Sequence, residues 1–188
     1  MRASHIWKRA TAGDGLADFG LRTSDLHSPR NGLLLATQLE EAFDSKRLAF
    51  RYNVLHDTFT ARVLDPSLLG ARDAAPSFVL SAAELDTLDA ETRAAVPTVA
   101  EMQGRSLTCP PGQLPFRRLL AWHYALSVKH AVACEWLPAE EEEAAEAEAR
   151  GWATASPGAV WPRQMDEYDA AVARSARGED SDAEFDGE

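Results

Sequence analysis

Ser24-Asp-Leu-His-Ser-Pro-Arg-Asn-Gly-Leu-Leu-Leu-Ala-Thr-Gln-Leu-Glu-Glu-Ala-Phe-Asp-Ser-Lys-Arg-Leu-Ala-Phe50 reads as a turn, a short apolar run, one amphipathic helix and the start of a strand. Asn31-Gly32 is a turn signal, because both residues tolerate the backbone angles that tight turns need. Leu33-Leu34-Leu35 suits a buried strand or the lead-in to a helix, and periodicity alone does not separate the two. Thr37 followed three residues later by Glu40 matches a capping box. Leu39, Ala42 and Phe43 fall at i, i+3 and i+4, one face of a helix that Asp44-Ser45-Lys46 ends. Residues 48–55 and 58–64 then alternate apolar with polar about a turn at His56-Asp57, which predicts a hairpin ending at Asp65-Pro66.

Upstream, residues 3–9 resemble a short strand entering a loop. Residues 10–30, with Gly13, Gly15, Gly20 and Pro29, read as a long irregular connection, of a length often tied to function. Downstream, Ser81 to Leu85 opens with a second capping-box pattern and predicts a short helix. Residues 99–109 suit a turn of helix followed by extended chain. Phe116 to Trp136 predicts a long helix with Phe116, Leu119, Leu120, His123, Tyr124, Ser127 and Val128 near one face. His123 and His130, two turns apart on it, read as packing residues. Residues 139–149 are helix-prone but lack an apolar stripe, so a solvated helix or disorder is expected, with docking suggested by Trp152, Trp161 and Tyr168. From Ser175 the acidic mixture reads as a disordered tail.

The 188 residues suit a single domain with a small extension, and 45% apolar content is enough for a core. No apolar run reaches bilayer length, and the first residues lack the apolar centre of a signal peptide. Cys109 and Cys134 are too few for a disulfide framework and read as buried free thiols of a reducing compartment. An intracellular protein, nuclear or cytoplasmic, is expected, with no membrane partner. The net charge of -11 is uneven: residues 1–72 hold ten Lys/Arg against eight Asp/Glu, and residues 73–188 hold nine against twenty-two. Only the N-terminal part is suited to meeting a phosphate backbone.

Ser4-His5-Ile6, the Gly/Asp-rich loop, Pro29-Arg30-Asn31-Gly32-Leu33-Leu34-Leu35 and Leu39-Glu40-Glu41-Ala42-Phe43-Asp44 together resemble the HNH endonuclease domain, and are similar in particular to its divergent fungal type. The resemblance covers residues 3 to about 65. It implies an α+β fold built on a ββα-metal (His-Me finger) core, here with an added hairpin and a C-terminal helical layer. It also implies metal-dependent phosphodiester hydrolysis of nucleic acid, DNA rather than RNA.

Such hydrolysis needs a base to activate water and a cation to stabilise charge on the phosphate and leaving oxygen. The resemblance implies that His5 is the base and that Asn31 pins the loop or orients the imidazole. It places Glu40 where the family has a metal-binding histidine, and Ser4 where many members have a ligand. A carboxylate there favours Mg²⁺ or Mn²⁺ over Zn²⁺. His27 and Asp44 are further candidate ligands, and Arg47, Arg51 and Arg62 on the hairpin are candidate phosphate contacts.

The expected organisation is an HNH-like domain with hairpin over residues 1–75, a helical extension over 76–138, and an acidic, largely disordered tail over 139–188. A degenerate HNH-like module that binds nucleic acid or protein without cutting is the alternative, kept open by Ser4 and Glu40. A third reading is an interaction protein whose acidic C-terminus mimics or repels nucleic acid.

Overall fold

The computed structural model describes residues 2–70, 82–95, 98–110 and 112–152. Its first two elements, β1 (Arg2–His5) and β2 (Gly32–Leu35), pair antiparallel with Arg2 opposite Leu35 and His5 opposite Gly32. The leucine run is a strand. Leu33 and Leu35 point into the core while Leu34 is 67% exposed, as the two-residue period of a strand requires. Helix α1 (Thr37–Asp44) follows and buries Leu39, Ala42 and Phe43. The capping box does not form. Ala36 is the cap residue, its carbonyl accepts the Glu40 amide at 2.9 Å, and Thr37 is already helical.

The connection from β1 to β2 differs from the irregular loop expected. It folds into short 3-10 turns at Arg9–Thr11, Leu16–Phe19, Thr23–His27 and Pro29–Asn31, and buries Leu16, Phe19 and Leu26. The Phe19 ring meets Trp7 edge-on at 5.4 Å, and Trp122 lies 4.7 Å from Trp7. Gly15, at φ 82°, has Trp7 so close that an added Cβ would stand 3.0 Å from the indole. Tertiary packing, not local propensity, shapes this segment.

Strands β3 (Leu48–Asn53) and β4 (Thr58–Val63) make the expected hairpin, from Leu48 opposite Val63 to Asn53 opposite Thr58. Residues 104–107 line the other edge of β4, with Ala61 N–H donating to the Arg105 carbonyl at 2.8 Å and Leu107 N–H to Phe59 at 2.7 Å. That covers an edge that would otherwise expose unpaired backbone groups. Helices α2 (Ala82–Leu85) and α3 (Ala90–Ala95) are short. Helix α4 (Arg117–Ala133) is buried at every position from Leu119 to Val128, so it lies inside the molecule rather than on one side of it.

That enclosure is completed by helix α5 (Glu140–Trp152), which packs along α4. Its inward stripe is alanine: Ala145 and Ala149, one turn apart, are 3% and 2% exposed. Residues 140–152, expected in an acidic tail, therefore form a docked helix. Two of its glutamates reach the hairpin, Glu141 to Arg62 at 3.0 Å and Glu148 to Arg51 at 3.0 Å. The cysteines differ from expectation too: Cys109 is half-buried and Cys134 exposed, both as free thiols. Among the described residues no helix is long and apolar enough to cross a membrane. Ser81, Trp161, Tyr168 and the segment from Ser175 lie outside the described residues. Among the described residues, mixed helices with two small antiparallel sheets make this an α+β protein.

Candidate functional site

The end of β1 delivers His5 to the rim of the β1–β2–α1 unit, half-buried. Beyond it the chain turns through Lys8 and Arg9, which places two cations beside the imidazole. Burial lowers the His5 pKa below the ordinary 6.5, and the charges of Arg9, Lys8 and His27 lower it further, while Asp44 acts the other way. His5 is thus a neutral imidazole at physiological pH, able to accept a proton.

Asn31 holds this strand end in place. It is fully buried: its Oδ1 accepts the Trp7 amide at 2.9 Å, and its Nδ2 donates to the carbonyls of Trp7 at 3.0 Å and Leu26 at 2.9 Å. Its own carbonyl accepts Ile6 N–H at 2.9 Å. Of the two roles considered for Asn31, these contacts are those of a residue pinning the loop. All of its side-chain bonds go to backbone.

Asp44, at the C-terminus of α1, accepts the Ser4 hydroxyl at 2.5 Å and the Lys8 ammonium at 2.7 Å, both on Oδ1. Glu40, one turn earlier, pairs with Arg2 at 3.7 Å, near the opposite end of β1. His27 Nδ1 lies 3.0 Å from the Arg9 guanidinium. The charges of Asp44 and His27 thus reach His5, while Glu40 pairs with Arg2 instead. Sequence reasoning passes over Lys8 and Arg9, although a basic doublet three residues beyond a candidate base was a visible signal.

The divalent metal implied by the resemblance needs several oxygen or nitrogen donors converging on one point. Among the described residues no group of three or more His, Cys, Asp or Glu side chains does so. Asp44 Oδ1, on the carboxylate whose charge acts on the imidazole, is already shared by a hydroxyl and an ammonium. The residues as placed do not fit a metal.

Acidic or hydroxyl groups of the chain engage each of the three hairpin arginines. Arg47 Nε donates to Asp65 at 2.6 Å and its Nη2 to Ser67 at 3.3 Å. Arg51 takes Glu148, and Arg62 takes Tyr124 at 2.6 Å as well as Glu141. Burial opposes the charge of Arg62, yet the hydrogen bonds it donates to Glu141 and Tyr124 hold its pKa above the ordinary arginine value.

Comparison with curated proteins gives no match, and comparison with solved structures gives none. Residues 1–51, the span that holds both strands of the first sheet, α1, His5 and Asn31, match the family model of the HNH endonuclease, and this segment is an HNH-family domain.

Proposed function

We propose that the protein hydrolyses phosphodiester bonds of nucleic acid, DNA in preference to RNA, with His5 as general base. The observation that carries the reading is a neutral, half-buried imidazole flanked by Lys8 and Arg9 within the HNH-family segment. The imidazole takes a proton from water as the water oxygen bonds to phosphorus. The ester oxygen leaves and is protonated by solvent. Lys8 and Arg9 offset the negative charge that builds on the phosphate oxygens. Asn31 acts indirectly, by holding the strand end that carries the base.

The HNH family generally uses a divalent metal, so Mg²⁺ and Mn²⁺, hard cations that prefer oxygen donors, are the ions to supply. The test is plasmid nicking with each ion and with EDTA, comparing wild type with His5→Ala. Loss of a general base is expected to lower the rate at least about a hundredfold. The acidic limb of the wild-type kcat/KM profile is expected below pH 6.5, because the depressed His5 pKa keeps the base unprotonated to lower pH. Equal rates for wild type and His5→Ala would overturn the assignment.

A second reading, a non-cutting HNH-like module that binds nucleic acid or protein, is favoured by the engagement of Asp44 with Ser4 and Lys8 and of Glu40 with Arg2. Folded wild-type protein that cuts nothing with either ion would establish it.

A further inference from the structure

The first two residues of α4 are Arg117 and Arg118, and they open onto a hollow of about 550 Å³ together with Arg30. Its walls include Leu21, Leu114 and Phe116. Arg30 comes from the turn just before Asn31 and lies two residues from Gly32, the cross-strand partner of His5. The hollow therefore opens near the end of the first sheet that carries the imidazole.

The three guanidiniums differ in what answers their charge. Arg117 pairs with Asp57 in the hairpin turn and lies 4.8 Å over the Tyr52 ring. Arg30 Nε donates to the Leu114 carbonyl at 2.8 Å, and its guanidinium stacks 4.6 Å from the Phe116 ring. Arg118 Nη1 donates to the Phe19 carbonyl at 2.5 Å. Carbonyls and rings orient a guanidinium without neutralising it, and among the described residues neither Arg30 nor Arg118 has a carboxylate partner. Each uses one of its five N–H groups in these bonds and keeps the rest for a ligand.

Two fixed, uncompensated guanidiniums at one concavity match the fork geometry that phosphate oxygens accept. The N-terminus of the 17-residue α4 adds its positive end to the same place.

We propose that the hollow between Leu21, Arg30, Leu114, Phe116, Arg117 and Arg118 binds a phosphate of a nucleic-acid backbone. The strand would run from this anchor to His5. The assignment rests on the nucleic-acid partner of the reading above but not on hydrolysis. It moves the phosphate contacts from the hairpin arginines, which face α5 and Asp65, to the turn before β2 and the start of α4.

The test is fluorescence anisotropy of a labelled duplex of about 20 base pairs with the full chain in EDTA, between about 50 and 200 mM salt. Arg30→Gln combined with Arg118→Gln is expected to weaken binding about tenfold or more at the low-salt end. It should also reduce the slope of log affinity against log salt by about 1, since losing the one phosphate contact removes roughly 0.9. Arg30→Lys with Arg118→Lys should restore the slope, which a merely structural role would not predict. Because Arg118 also ties down the Phe19 carbonyl, the exposed Arg30→Gln alone carries the same test with about half the change in slope. Wild-type affinity and slope in the folded variants would overturn the proposal, as would a wild type that binds no duplex. Tight binding of adenosine monophosphate that depends on these arginines, with none to duplex, would assign the hollow to a free nucleotide instead and overturn it too. Binding is read without turnover, so failure here leaves His5 to the nicking assay, and failure of that assay leaves this result standing.

Discussion

Replacing Asn31 with leucine is expected to remove about 4 kcal/mol of stability, a large share of the roughly 5–15 kcal/mol of a typical domain. The two side chains have the same number of heavy atoms and the leucine is the bulkier, so the effect comes from lost hydrogen bonding rather than from a cavity. Leucine would leave the Trp7 N–H, the Trp7 carbonyl and the Leu26 carbonyl without the partner they have now. Each buried group stranded in this way costs roughly 1–3 kcal/mol, and relaxation recovers part of the sum. Asn31→Asp is expected to do no better. It keeps an acceptor for the Trp7 amide but faces two carbonyls with an oxygen. Thermal unfolding should register a fall of roughly 8–16 °C for a chain of this size. A residue engaged only in chemistry would lower kcat and leave the melting temperature alone. A change below about 1 kcal/mol for Asn31→Leu would show that the amide does not hold the strand end.

The core of this unit was open to reading because its signals are local. Alternation marks β3 and β4, and the i, i+3, i+4 spacing of Leu39, Ala42 and Phe43 marks α1. The resemblance carried by His5 and the Asn-Gly-Leu-Leu-Leu run reached the family. What escaped depends on distant partners. Arg62 and Arg51 look like free surface cations until α5 brings Glu141 and Glu148 to them from 79 and 97 residues away. The α5 stripe is invisible to a hydrophobicity pattern because it is made of alanines, which pack closely without being strongly apolar. The 3-10 turns between Arg9 and Asn31 have no periodicity at all; Phe19 fixes them by packing on Trp7 and Trp122, and Leu16 and Leu26 by joining the same core. The arginine hollow joins residue 30 to residues 117 and 118, two segments with no sequence relation.

The second large effect is a loss of stability as pH falls, centred on His123. This imidazole lies wholly inside the protein, stacked on the Phe43 ring at 3.8 Å with 8° between planes. Ser127 Oγ stands 3.4 Å from its Nδ1. Burial depresses its pKa from 6.5 to about 3; the Lys8 and Lys46 charges push the same way, and a backbone hydrogen bond with Phe43 opposes them. In the unfolded chain His123 would bind a proton near 6.5, while the folded protein refuses one until about 3. Between those values the unfolded state holds more protons, so stability is complete above pH 6.5 and falls as pH is lowered through the window. Each unit costs about 1.4 kcal/mol, and the whole window amounts to roughly 4–5 kcal/mol if the core stays closed. Urea unfolding at pH 7, 6 and 5, where most carboxylates remain ionised, should show the slope, and His123→Phe should flatten it. Identical slopes in both proteins would place the acid sensitivity elsewhere.

The consequence reaches the site. Phe43 is the neighbour of Asp44, so a charged His123 would push against the end of α1 that Ser4 and Lys8 hold to β1. Activity lost to protonation of His5 should return on raising the pH with near-ultraviolet circular dichroism unchanged throughout. Activity lost through His123 should fall together with that signal.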